Sequence, residues 1–198
     1  MLAAVRSATV FGVEGRPVIV EVHVSTGLPG FLIVGLPDAA CRESRDRVRA
    51  ALLSCGLAWP SCKIVVNLAP SGQRKGGSGL DLAIAVALLG ANGDVPADQL
   101  EGFSFLAELG LDGSLRSIPG IAPMVAALPD AIAVVGVAGF REAQGVAGDR
   151  VRVANTLRDV VDALNVEAPW PRPPDGEFID EEPPHPISPT CAAKRQRG

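Results

Sequence analysis

Tyrosine is missing from the 198 residues, and aromatic residues together make up only 4%. With so few rings, stacking platforms for nucleic-acid bases are not expected. Cysteine is scarce and scattered: Cys41, Cys55, Cys62 and Cys191 form no Cys-x-x-Cys pair. That argues against a zinc site or a disulfide framework and fits a reducing cytoplasm. Neither sign of charge dominates; charged residues are 20% and the net charge is −4. That argues against a nucleic-acid binder working through overall charge, and any such role must be local. No apolar run is long enough to cross a membrane. The opening Met1-Leu2-Ala3-Ala4-Val5-Arg6 lacks the charged-then-apolar layout of a signal peptide. A soluble, cytoplasmic protein without a membrane partner is expected. What is present is apolar material, 47% of residues, enough for one domain with a real core.

The chain reads first as strands. Residues 7–13 predict one, with Glu14-Gly15 turning into a second. From Val18 to Val24 the alternation is strict, with Val18, Val20, Val22 and Val24 on one face and Ile19, Glu21 and His23 on the other. Gly27-Leu28-Pro29-Gly30 breaks the chain before a third strand at 31–34. Asp38 is the expected N-cap of a helix that Gly56 stops. Ala40, Ser44, Val48, Ala51, Leu52 and Cys55 form its apolar stripe, while Arg42, Arg45 and Arg49 line another face. Glu43–Arg47 and Arg42–Asp46 are spaced as i,i+4 pairs. A strand is predicted at 63–68 and an apolar helix over 81–89, closed by Gly90 and begun by Asp81 as cap or dipole partner. Strands at 103–111 and 115–118 meet at Asp112-Gly113, a two-residue hairpin signal. A helix over 120–128, a strand over 131–137, a helix over 140–147, a strand at 151–153 and a helix over 156–164 follow.

Between the strand at 63–68 and the helix at 81 stands Pro70-Ser71-Gly72-Gln73-Arg74-Lys75-Gly76-Gly77-Ser78-Gly79-Leu80. A glycine-rich basic loop that leaves a strand and opens a helix presents backbone N–H groups to an anion or a catalytic centre. Gly72-x-x-x-x-Gly77-Ser78-Gly79 comes close to a phosphate-binding loop but lacks the Lys that should follow the second glycine. Arg74 and Lys75, with Arg42, Arg45 and Arg49 on the helix, are the candidate anion- or nucleic-acid-binding residues. No metal ligand set stands out. His23 and Glu21, neighbours on one strand face, read as a structural contact.

Four stretches carry a resemblance: Val20-Glu21-Val22-His23-Val24-Ser25-Thr26-Gly27-Leu28-Pro29-Gly30, Val34-Gly35-Leu36-Pro37-Asp38, Arg45-Asp46-Arg47-Val48-Arg49-Ala50-Ala51 and Val66-Asn67-Leu68-Ala69-Pro70. Together they resemble the N-terminal domain of the magnesium-chelatase-like AAA+ ATPases of the YifB/ComM type. The resemblance implies an α+β fold like the second domain of ribosomal protein S5 and the proteolytic domain of Lon, with a mixed sheet and packed helices. It also implies a hexameric parent motor acting on branched DNA in natural transformation. ATP and Mg would then belong to an ATPase domain that follows, the domain's natural partner, and this chain would need no cofactor. The Lon pattern uses a serine nucleophile and a lysine base. Laid on this sequence, it puts Gly79 at the nucleophile and Ala122 at the base, so the dyad is lost. A non-catalytic accessory domain is expected. The alternatives are a Lon-like peptidase with a relocated Ser78/Lys75 dyad and a free-standing regulatory module.

The domain is expected to span 1–166, with a proline-rich, acidic, disordered linker over 167–198. Back-translated with GC-rich codons and read from the third base of the His185 codon, the tail gives Pro-Asp-Leu-Ala-Asp-Val-Arg-Gly-Gln-Ala. That resembles the family's entry into its ATPase domain, and the expectation is a frameshift that truncated a longer ATPase.

Overall fold

The computed structural model describes residues 1–73 and 75–173. Its frame is a seven-stranded sheet in the order β3-β4-β2-β1-β5-β8-β9. Here β1 is Leu2–Phe11, β2 Glu14–Ser25, β3 Gly30–Val34, β4 Lys63–Ala69, β5 Phe103–Leu106, β8 Ile132–Gly136 and β9 Val151–Ala154. Strands β6 (Glu108–Leu109) and β7 (Leu115–Arg116) form a separate small hairpin. Only β2 is antiparallel to its neighbours; the other adjacent pairs are parallel. The carboxyl ends of six strands therefore lie along one side, where loops of an α/β sheet form binding crevices. This mixed sheet with packed helices is the coarse architecture expected from the sequence.

The first hairpin is longer than expected. Strand β1 begins at Leu2 and the turn falls at Gly12-Val13, with Phe11 opposite Glu14 and Gly12 at φ +64°. A two-residue turn needs positive φ, which glycine supplies without strain. The alternation of β2 holds: Val18, Val20 and Val22 are buried and Val24 partly so.

Helix α1 (Ala39–Arg42) and helix α2 (Ser44–Ser54) replace the single expected helix, with the break at Glu43. At the break the Ala40 carbonyl accepts from the Arg47 guanidinium at 2.9 Å, a tertiary contact that no local propensity encodes. Helix α3 (Asp81–Asn92) is buried along nearly its whole length, as a helix apolar all round must be. It runs past Gly90, the expected stop, to Gly93 at φ +89°. Gly90 serves close packing, since a Cβ there would meet Leu100 Cδ1 at 2.7 Å and Ala3 Cβ at 3.2 Å.

The predicted strand over 103–111 divides. β5 joins the large sheet beside β8, while β6 turns away to pair with β7. Ala107 stands at the division, and its carbonyl accepts from Leu82 N at 3.2 Å. The hairpin loop is three residues rather than two: Gly110 N donates to Ser114 O at 2.8 Å, with Leu111–Gly113 between them.

Helices α2, α3 and α6 (Leu157–Leu164) share one core cluster, whereas α4 (Ile121–Ala126) and α5 (Phe140–Ala147) build a second one. Thr156 closes a capping box with Asp159 at the start of α6. Packing continues beyond residue 166: the Trp170 ring lies 5.5 Å from that of Phe103. The expected disorder and frameshift of the tail fall mostly on 174–198, outside the described residues. Among the described residues no helix is long and apolar enough to cross a membrane.

Candidate functional site

The glycine-rich loop leaves β4 at the carboxyl side of the sheet and ends at α3. Backbone bonds fasten it to the segment before α1: Asp38 N donates to Lys75 O at 2.9 Å, and Lys75 N to Leu36 O at 3.2 Å. The Asp38 carboxylate works on both sides of the seam. Its Oδ1 accepts from Cys41 N at 2.8 Å, which caps α1, and its Oδ2 accepts from Gly77 N at 3.0 Å. Gly76 passes so near that a Cβ would lie 2.9 Å from Asp38 Oδ2. The expected N-cap is thus present and also clasps the loop.

Beneath the loop lies a charge cluster that the sequence reading missed. Asp81 is fully buried, and it is the first residue of α3 rather than its N-cap, which is Leu80. Its carboxylate accepts from Ser44 Oγ at 2.5 Å, Arg47 Nε at 2.6 Å, Arg47 Nη2 at 3.0 Å and Leu109 N at 3.3 Å. Burial pushes the Asp81 carboxyl above the usual carboxylate range, while Arg47, Ser44 and the Leu109 amide hold it back. Arg47 still reaches Glu43 at 3.5 Å, as its spacing predicts, but that contact is the outer and weaker one. Sequence offered no signal for the pair, because Arg47 and Asp81 sit on different helices.

The loop's own side chains point to separate partners. The Lys75 ammonium is buried and donates to the Pro70 carbonyl; burial lowers its pKa. The Ser78 hydroxyl donates to Glu108, whose carboxylate also lies 3.8 Å from Arg116. The relocated dyad is therefore not brought together as a hydrogen-bonded pair. Gly79, at the nucleophile position of the Lon pattern, faces Ile118, whose Cδ1 would be 2.5 Å from an added Cβ. Ala122, at the base position, donates its amide to Glu142 Oε1 at 2.8 Å. A cavity of about 290 Å³ opens beside Ser78, floored by Val10, Ile118 and Met124. Its walls carry no titratable side chain.

The remaining candidates are divided in space. Arg74 lies outside the described residues. Arg42, Arg45 and Arg49 are exposed, as the helical pattern predicted. Arg45 and Arg49 border a recess of about 190 Å³ with Phe31 and Trp59, lined also by Gly30, the first residue of β3. The Glu21 carboxylate accepts from Asn67 Nδ2 at 2.7 Å, a cross-strand contact in place of the expected one with His23. Cys41 is buried, and desolvation with the nearby Asp38 and Asp81 charges pushes its thiol up to about 12.

Known proteins resemble this chain over much of its length. Residues 20–136 match the family described as subunit ChlI of Mg-chelatase. The chain is similar to the competence protein ComM of Haemophilus influenzae, 39% identical over 172 residues, 86% of this chain and 34% of that protein. It is similar also to the uncharacterized protein YifB of Salmonella typhimurium, 46% identical over 119 residues, 60% of this chain and 24% of that protein. YifB of Escherichia coli matches at 44% over 119 residues, with the same coverage. The match spans about a third or less of the length of these relatives.

Proposed function

Because the chain belongs to the magnesium-chelatase-like family that includes YifB and ComM, we propose that residues 1–166 serve as a non-catalytic accessory domain for an AAA+ ATPase. On this reading the fold is that of ribosomal protein S5 domain 2 and the Lon proteolytic domain, with the chemistry withdrawn. ATP and Mg belong to the ATPase domain of the parent or a paralogue, which is the partner of this domain. The parent is a cytoplasmic hexameric motor, and the competence role named for ComM supports DNA as its substrate.

One observation carries the non-catalytic reading: Ser78 and Lys75, the two members of the relocated dyad, are committed to separate partners. A serine becomes nucleophilic at neutral pH when a base takes its proton. Ser78 has no lysine base within reach: its hydroxyl is held by Glu108, which lies against Arg116, and the only lysine of the loop is turned onto a carbonyl. The Asp38 clasp and the Asp81–Arg47 pair support a loop held rigid as a scaffold. Contact with DNA then falls to the exposed Arg42, Arg45 and Arg49, with Arg74, while Lys75 serves the loop.

A fluorophosphonate probe tests the catalytic half. No labelling of the chain is expected; labelling that vanishes in Ser78→Ala would overturn the reading in favour of a peptidase. Anisotropy with forked and single-stranded DNA tests the other half. Weak binding that falls with added salt and with Arg42→Ala/Arg49→Ala is expected, and binding indifferent to both would remove DNA contact from this surface.

A further inference from the structure

Arg45 and Arg49 stand one helical turn apart, and among the described residues neither has an ion pair or hydrogen bond. Like charges at this spacing repel, so the pair calls for an anion from outside the fold. The recess they rim is lined also by Phe31 and Trp59, whose rings lie 5.6 Å apart. At about 190 Å³ it is smaller than the ~300–1,000 Å³ of small-molecule sites. It has room for one large side chain, not for a nucleotide or cofactor.

Beside the recess runs an unprotected sheet edge. β3 is the terminal strand, and Gly30-Phe31-Leu32-Ile33-Val34 contains no charge and no proline. Leu32 is 53% exposed and the preceding Leu28 90%. Edge strands are normally blunted by charge, proline or cover. The opposite edge, β9, has Arg152 and borders the 170–173 segment across a shared recess. Lys63, opposite Gly30 on β4, adds a third cation at the same end. A bare edge, a one-side-chain recess and three cations fit an extended acidic segment with an aromatic anchor, bound by strand addition.

The chain contains such a segment. Asp175-Gly176-Glu177-Phe178-Ile179-Asp180-Glu181-Glu182 has five acidic residues in eight, around Phe178. Reach decides where it binds. Pro173 borders β9, six strand spacings from β3, about 29 Å at ~4.8 Å each. The five residues from Pro173 to Phe178 span at most ~18 Å. The segment cannot fill its own recess. We propose that the recess and the β3 edge bind residues 175–182 of a second copy, with Phe178 in the recess and its acidic flanks on Arg45, Arg49 and Lys63. Such a head-to-tail contact builds rings or filaments rather than closed two-fold dimers. The proposal goes beyond the accessory-domain reading; it shares Arg45 and Arg49 with the surface offered to DNA, and the Phe178 and peptide arms of the test distinguish the two.

Sedimentation velocity of the full chain tests it. Concentration-dependent self-association that weakens with salt is expected. It should be lost in Arg45→Glu/Arg49→Glu and equally in Phe178→Ala. A fluorescein-labelled peptide of residues 174–183 should bind the Phe178→Ala chain and not the double arginine variant. A wild-type chain that stays monomeric, or association that survives Phe178→Ala, overturns the proposal. So does an arginine-dependent complex with a single-stranded oligonucleotide when the peptide does not bind, because the recess then serves nucleic acid.

Discussion

Replacing Arg47 by alanine is the most demanding test of how the glycine-rich loop is held. Asp81 is fully buried, and Arg47, with 18% of its side chain exposed, supplies two of the four hydrogen bonds on that carboxylate. Removing one partner of a buried pair costs about 3–5 kcal/mol, because the other charge is left uncompensated. The partial exposure of Arg47 argues for the lower end, about 3 kcal/mol. With a urea slope of roughly 2 kcal/mol per M, the unfolding midpoint should fall by about 1.5 M. By contrast, loss of the partly exposed Arg158–Asp162 pair should cost about 0–1 kcal/mol.

The pH dependence has a definite sign. Burial raises the Asp81 carboxyl, so the folded state holds a proton that the unfolded state has released. Stability from this group is complete below the ordinary carboxylate pKa and is lost as pH rises through the raised value. Arg47 opposes that rise, so its removal moves the folded value higher and deepens the loss at neutral pH. The deficit of Arg47→Ala should therefore shrink on acidification from about pH 7 toward about pH 4, near the unfolded carboxylate value. A midpoint shift below about 0.5 M, or a deficit that does not change with pH, would refute the reasoning. The double variant Arg47→Met/Asp81→Leu should be less damaging than Arg47→Ala, since neither charge is then stranded.

Five further outcomes can be checked. Gly35→Ala should cost at least about 1–3 kcal/mol in thermal unfolding, because φ is +97° and a Cβ would sit 2.2 Å from Leu68 O. Gly56→Ala, at φ +71° in open space, should cost only about 1–2 kcal/mol. Cys41, with its thiol near 12, should resist Ellman's reagent in the native chain at mildly alkaline pH and react once urea unfolds it. Lys75→Met should leave DNA binding unchanged and flatten the alkaline stability profile. The lowered Lys75 pKa makes wild-type stability rise as pH climbs toward the unfolded value of 10.5. Thr156→Ala should lower stability by about 1 kcal/mol through loss of the α6 cap, read as a shift in melting temperature.

Much of the fold is legible where short-range physics suffices. Period-two alternation along β2 depends only on successive side chains pointing to opposite faces, and Val18, Val20 and Val22 are buried as read. The cap at Asp38 was visible because it is a local hydrogen bond between near neighbours. Boundaries went astray where a distant contact intervened. The 39–54 helix broke where Arg47 takes the Ala40 carbonyl, Gly90 proved to be a packing glycine against Ala3 and Leu100, and residues 103–111 divided between two sheets.

The site divides along the same line. The order of strand, glycine-rich loop and apolar helix, the family motifs, and the exposure of Arg42, Arg45 and Arg49 follow from residue types at short spacings. Sequence alone determined these, because each depends on backbone geometry within a few residues. Only the tertiary structure decided what the side chains do. It turned Lys75 inward, gave Ser78 to Glu108, buried Asp81 against Arg47 and set Trp59 and Phe31 beside Arg45 and Arg49. Those pairings join residues from separate elements, and the free energy of a buried charge or ring is settled by whatever the whole fold packs against it.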